Sequence, residues 1–492
     1  MPIRWTDNGA VIGRENEETG VEEYLGIPFA KIQNLEDLKF SSESELRLDV
    51  YVPPTASSIK KDKLPVMVYI HGGSLLNGGP AEYPGNTYLP KIGNVVLVVI
   101  QYRLGLMGFY SYKDGEKIVG NFGLYDQISA LEWVKLNIEH FNGDRTNVTI
   151  FGESAGAFSC DALIRSKFQK KSLFHRAIVQ SGSLLSTWCP QTPASRRKAV
   201  DRYCNILSVS SETELKNALL KMTTKELIEF EKKHMYGARG GDRFLIVADD
   251  EIVQKDFYNF KNEMKMPLYY GRQTSEGEYL LTRGFPGFKE GEMTSEICRK
   301  IMKNQIENWE IVCTDSLLDE ILELYKELDE DGNIIFPKTF GRWYGDWLIG
   351  SGVFMMAQNV NTFTYEFDVI PIWFHSEEHK GNCQIKPKWS EGDHADDLPY
   401  VFGWVLGDKP GQEIIPTELD KKLSRKVIKD WSAFASGIEP VCNEFTKSFD
   451  DVAIYTNLPK MRKIDNEKYE KKTALFRKVF EERCAKFQNC DY

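Results

Sequence analysis

The chain has 492 residues, 42% of them hydrophobic and 27% charged, which is an ordinary globular profile whose core needs no disulfide or metal to hold it. Its net charge of −10 and pI near 5.5 argue against nucleic acid or an anionic membrane face as the main partner, since both select clustered Lys and Arg. MPIRWTDNGAVIGRENEETG at the start has no apolar run, VVLVVI from Val95 to Ile100 is too short to cross a bilayer, and FQNCDY at the end carries no lipidation motif. The nine cysteines show no C-x-x-C spacing, which argues against zinc and thioredoxin-type chemistry. All nine are expected to be reduced, in a cytosolic protein.

In chain order, the first third reads as strands with few helices. LPVMVYI (Leu64 to Ile70) and VVLVVI are Val- and Ile-rich runs of the kind buried on both faces of a parallel sheet. GLYDQISALEWVKLNIEH then places Leu124, Ile128, Leu131, Val134 and Ile138 at helical spacing. NVTIF (Asn147 to Phe151) predicts another strand, followed by a helix from Ala155. This rhythm points to an α/β fold with helices covering a mostly parallel sheet.

The middle is more helical. SETELKNALLKM from Ser211, TTKELIEFEKK from Thr223 and SLLDEILELYKEL from Ser316 each open on a capping residue followed by acids. Strands recur at PLYYG from Pro267 and FTYEFDV from Phe363. LSRKVIKDWSAFASG from Leu423 predicts an amphipathic helix closed by Gly437, with Pro440 beyond. No repeat, low-complexity tract or linker divides the chain, so residues 1–492 are expected to form a single domain.

Within this frame, Gly152-Glu153-Ser154-Ala155-Gly156 fits the G-x-S-x-G nucleophile elbow, with a strand before it and a helix after. Side chains in place of the glycines would collide with the neighbouring strand and helix, while the strained serine would project its hydroxyl above the sheet edge. A serine hydroxyl needs a base, and the base an orienting acid, in the chain order serine, acid, histidine. His71 and His140 precede Ser154, and His175 follows it too closely to leave room for an acid. His234, His375, His379 and His394 remain. The first three sit among lysines or glutamates, where a solvated role is the simpler account. His394 lies in GDHADDLPYVFG, a loop leading into apolar residues, although composition alone would make it a surface histidine in an acidic loop. The turn His71-Gly72-Gly73-Ser74 directly after LPVMVYI could offer backbone N–H groups to an oxyanion, with a further N–H from Ala155.

These pieces together resemble the type-B carboxylesterases, the α/β-hydrolase group that includes the cholinesterases. The resemblance runs over nearly the whole chain: YLGIPFA from Tyr24, LDVYVP from Leu48, YRLGLMGF from Tyr102, GNFGLYDQISALEWVKLNI from Gly120, FNGD from Phe141, VTIFGESAG from Val148, VQSGS from Val179 and WSAFASG from Trp431 follow in family order. It implies an α/β-hydrolase fold with helical insertions around a gorge, and a hydrolase of small to medium carboxylic esters that needs no metal or cofactor. It further implies Ser154 as nucleophile, His394 as base, and Glu276, in GRQTSEG, as the acid; the residues alone do not separate Glu276 from Glu278. Gly72, Gly73, Ser74 and Ala155 map to the oxyanion hole and Ser181 to a serine supporting the catalytic histidine. A non-enzymatic binding member of the family, or transfer of the acyl group to an alcohol or amine, stand as alternatives.

Three departures qualify the resemblance. The segment from Phe29 to Val50 is much shorter than in the family, with Glu45 where a disulfide cysteine is expected. The aromatic residue that cradles choline belongs to that missing loop, which argues against choline esters. The oxyanion turn has Ser74 in place of glycine or alanine, so its added hydroxymethyl is expected to narrow the pocket. Cys204 has no evident partner for the family's second disulfide.

Overall fold

The computed structural model describes residues 1–6, 9–31, 45–54, 62–82, 88–235, 242–257, 266–278, 293–356, 362–369, 392–407, 416–439, 453–456 and 466–488. Its strands, in chain order, are β1 (Ile3–Thr6), β2 (Gly9–Ile12), β3 (Arg14–Glu15), β4 (Glu22–Lys31), β5 (Glu45–Val52), β6 (Leu64–Ile70), β7 (Val96–Ile100), β8 (Tyr112–Asp114), β9 (Lys117–Val119), β10 (Gly143–Glu153), β11 (Arg176–Gln180), β12 (Leu268–Gln273), β13 (Thr362–Asp368) and β14 (Ala453–Thr456). Ten of them form one sheet in the order β14-β13-β12-β11-β10-β6-β7-β5-β4-β3. From β14 to β7 every neighbour is parallel, and β5, β4 and β3 continue the sheet antiparallel. This is the mostly parallel sheet of an α/β-hydrolase.

The apolar runs explain the layering. In β6 and β7, Val66, Val68, Ile70, Val96, Val98 and Ile100 enter one core, while Met67, Tyr69, Leu97 and Val99 enter the core on the opposite face. That is the period of two expected for strands covered on both sides. The first face is covered by the helices Phe122–Asn137 and Ala155–Arg165, the second by Glu418–Ala435. A third core joins the helices Ser295–Asn308, Asp315–Tyr325, Phe336–Gly345 and Asn466–Gln488. No described helix is long and apolar enough to cross a membrane.

Element ends shift where local chemistry outweighs periodicity. The helix read from Ser316 begins at Asp315 and is capped by Thr314, whose side chain accepts from the Leu317 N–H at 3.2 Å. The helix read from Leu423 starts at Glu418, because Thr417 and Asp420 form a reciprocal capping box upstream of the apolar stripe. Gly437 closes that helix with a φ of 82°, a left-handed conformation that favours glycine, and Pro440 lies outside the described residues. Cys160, Cys189, Cys204, Cys298 and Cys313 are free and buried. Cys383, Cys442, Cys490 and the side chain of Cys484 lie outside the described residues.

Candidate active site

Strand β10 runs into Ser154, which holds φ 55° and ψ −125° immediately before the helix Ala155–Arg165. Few non-glycine residues adopt a positive φ, and here two bonds hold it: Ser154 N–H donates to the Gln180 carbonyl and Phe158 N–H to the Ser154 carbonyl, both at 3.0 Å. The flanking glycines are required by close approach. A Cβ on Gly152 would stand 2.6 Å from the Ile70 carbonyl oxygen, and one on Gly156 only 1.9 Å from the same atom. The end of β6 therefore packs directly under the elbow.

The residues after Ile70 form the predicted oxyanion turn. A Cβ on Gly72 would meet Ser154 Cβ at 3.0 Å, so the turn lies against the nucleophile. Gly73 has φ 105° and Ser74 φ 58°, and the Gly73 carbonyl accepts from Leu76 N–H at 2.9 Å and Asn77 N–H at 3.1 Å. Among the described residues, the N–H groups of Gly73, Ser74 and Ala155 donate to no protein acceptor. Ser74 itself is exposed, so its hydroxymethyl group extends from an accessible turn. Burial lowers His71 to about 4, which keeps it neutral, and its Nδ1 lies 2.8 Å from the Gly72 carbonyl. That carbonyl can only accept, so Nδ1 carries the hydrogen.

Beside this elbow, His394 is 7% exposed and not the surface histidine its acidic loop suggests. Its Nε2 lies 2.8 Å from Ser154 Oγ and its Nδ1 2.7 Å from Glu276 Oε2, both within proton-transfer reach. The loop is positioned from both sides: Ser275 N–H donates to the Gly392 carbonyl at 2.8 Å, and His394 N–H to Asp393 Oδ1 at 2.7 Å. Glu276 Oε1 accepts from Gln273 N–H at 2.6 Å, whereas Glu278 turns away and accepts from Ser275 Oγ at 2.8 Å. That difference separates the two glutamates, which the residues alone did not.

Ser181 is buried with φ 59° and its N–H donates to the Gly271 carbonyl at 2.8 Å, but among the described residues its Oγ has no hydrogen-bond partner. The serine is present, and no hydrogen bond ties it to His394. His234 is half-buried against the Phe230 ring, 4.8 Å between centroids, while His375 and His379 lie outside the described residues.

Reading the residues passed over Glu153. The residue is 3% exposed, its Oε1 has no hydrogen-bond partner among the described residues, and that oxygen stands 3.3 Å from His394 Nε2. Burial pushes it up to about 8, with Asp397 and Glu276 raising it further and His394 opposing. Burial on its own would lower His394, but the Glu153 and Glu276 carboxylates outweigh it and raise the imidazole above its ordinary 6.5. No pattern in the sequence marks a glutamate beside a serine as buried.

The sequence profile described as the carboxylesterase family matches residues 31–483. The chain is 31% identical over 489 residues to the pyrethroid hydrolase Ces2e of Rattus norvegicus, covering 88% of this chain and 82% of that protein. It is 30% identical over 495 residues to the cocaine esterase of Homo sapiens, covering 89% and 84%. It is 34% identical over 433 residues to the liver carboxylesterase of Sus scrofa, covering 81% and 70%.

Proposed function

The chain belongs to the carboxylesterase family and is on that ground a carboxylic-ester hydrolase; we propose that it works through Ser154, His394 and Glu276 by way of an acyl-enzyme. The reading rests on the continuous line from Ser154 Oγ to His394 Nε2 at 2.8 Å and from His394 Nδ1 to Glu276 at 2.7 Å. Ser154 Oγ attacks the ester carbonyl carbon while His394 Nε2 takes its proton. The oxyanion that forms accepts from the N–H groups of Gly73, Ser74 and Ala155, with Gly72 keeping the turn close. His394 then gives its proton to the departing alkoxide, leaving the acyl group on Ser154. Water, deprotonated by His394, releases the acid and restores the hydroxyl. Glu276 holds Nδ1–H throughout, so that the lone pair of Nε2 faces Oγ.

Substrates are small to medium carboxylic esters. Pre-steady-state hydrolysis of 4-nitrophenyl butyrate tests the acyl-enzyme: a burst of close to one phenol per active chain, followed by slower turnover, is expected when deacylation limits. Steady turnover that persists in Ser154→Ala would overturn the reading.

A further inference from the structure

Arg243 is 8% exposed, yet among the described residues its guanidinium makes neither a hydrogen bond nor an ion pair. Among the described residues, the other arginines buried to this degree all have partners. Arg196 reaches Glu212, Arg272 reaches Asp346 at 2.6 Å, Arg342 reaches Glu327 at 3.3 Å, and Arg483 donates to the carbonyls of Ser186 and Pro190 at 2.7 and 2.6 Å. A buried cation without a counter-ion is costly, and folded chains do not keep one without compensation. None of the Arg243 side-chain nitrogens is among the sealed, unpartnered atoms, so the guanidinium opens onto accessible space.

Hydrogen bonds hold the backbone around it. Gln191 Nε2 donates to the Arg243 carbonyl at 2.7 Å, Gln191 N–H to the Ile246 carbonyl at 2.7 Å, and Leu245 N–H to Gln191 Oε1 at 3.3 Å. The guanidinium stands 5.7 Å from the Trp188 ring centre, and Trp188 packs edge-on against Phe158 at 4.7 Å. Phe158 is one helical turn from Ser154 and donates its N–H to the Ser154 carbonyl. Two ring contacts therefore join the unpaired cation to the helix that carries the nucleophile. Glu231, the carboxylate whose charge acts on Arg243, is engaged with the Leu106 N–H. Burial pulls Arg243 down to about 10, which still leaves it charged at neutral pH.

We propose that Arg243 determines specificity at this site by receiving a carboxylate carried by the ester substrate, so that half-esters of dicarboxylic acids, or esters of carboxylate-bearing alcohols, are preferred. The proposal rests on the ester-hydrolase reading above. A carboxylate fits the guanidinium fork in two parallel hydrogen bonds and supplies the missing counter-charge.

The test compares matched esters: mono-4-nitrophenyl adipate against 4-nitrophenyl hexanoate for a charge on the acyl side, and 4-acetoxybenzoate against phenyl acetate for a charge on the alcohol side. The parent enzyme should favour the charged member of at least one pair. Arg243→Gln should lower that charged-to-neutral ratio of kcat/KM about 100-fold, and Arg243→Lys should restore part of it. Ratios unchanged by Arg243→Gln would overturn the proposal. Calorimetry of Ser154→Ala with adipate and with 4-hydroxybenzoate reads binding without turnover: binding of either anion, lost when Arg243→Gln is added, supports the role, and binding insensitive to that change, or none, refutes it. An enzyme that hydrolyses none of the esters would refute the hydrolase reading alone, because calorimetry still decides Arg243.

Discussion

Glu153 brings a buried carboxyl to 3.3 Å from His394 Nε2, the same ring nitrogen that reaches Ser154 Oγ at 2.8 Å. The two groups titrate as a coupled pair, because the charge of each stabilises the charge of the other. Ser154 can be activated only by neutral His394. With the imidazole raised above its ordinary 6.5 by Glu153 and Glu276, against the pull of burial, activity should fall on acidification already above pH 6.5. Glu153→Gln removes one of these two charges, so the acid limb should move down toward 6.5. Profiles of kcat/KM for a neutral aryl ester from about pH 5 to 10 check this. Coincident acid limbs in the two proteins would contradict it.

The elbow glycines predict a steep size dependence. Gly156→Ala would force a methyl group to 1.9 Å from the Ile70 carbonyl, a backbone atom that cannot turn aside, and should cost at least about 3 kcal/mol of stability together with most of the activity. Gly79→Ala meets nothing within 4 Å and should change stability by no more than about 0.5 kcal/mol. Denaturant unfolding of the pair provides the measurement. Equal effects at the two sites would show that β6 does not press on the elbow.

Ser74 offers a test of whether the oxyanion turn works through its backbone. Its φ of 58° strains an L side chain by about 1–2 kcal/mol, which Ser74→Gly relieves at an entropic cost of about 0.5–1 kcal/mol. The variant keeps the N–H. Stability should rise by up to about 1.5 kcal/mol and kcat should stay within about 3-fold, since no donor to the oxyanion is removed. A loss of kcat near 100-fold would assign the role to the hydroxyl instead.

A buried ionic hub centres on Asp346, the residue after Gly345, which packs against Glu276. Asp346 accepts from Arg272 at 2.6 Å, Lys472 at 2.7 Å and Tyr325 at 2.9 Å, joining β12 to the C-terminal helix. Burial works against its charge, but Lys472 and Arg272 prevail and hold the carboxyl below its ordinary 3.8. Asp346→Asn leaves the buried Lys472 without its carboxylate partner and Arg272 with Glu366 alone, and should cost about 3–5 kcal/mol at neutral pH. A carboxylate with a depressed folded pKa stabilises above its unfolded pKa and loses that contribution as pH falls through the folded value. The gap between parent and variant should therefore be full at pH 7 and narrow below pH 3.8. A constant gap across that range would contradict the assignment of the effect to the Asp346 charge.

What was legible in the sequence follows from how local each cause is. Strands β6 and β7 were readable because both faces are buried and nearly every residue is apolar. The elbow was readable because close approach admits only glycine at two fixed positions. The early start of β10 at Gly143 was missed, since Gly143 to Asn147 carries no apolar pattern and the register with β6 breaks between Gly143 and Val148. His394 could not be told from other polar histidines by composition, because its partners Ser154 and Glu276 lie 240 and 118 residues away. Glu153 and Arg243 escaped notice for the opposite reason: their types predict solvent exposure, and only tertiary packing removes it.

Active-site labelling tests the central claim most directly. The purified chain is treated with a fluorophosphonate, digested, and the modified peptide located by mass spectrometry, in the parent and in His394→Ala. A single adduct on Ser154 is expected, forming at least about 1000-fold more slowly without the imidazole that deprotonates it. A parent protein that is folded yet unlabelled at Ser154, or labelled at the same rate without His394, would contradict the account.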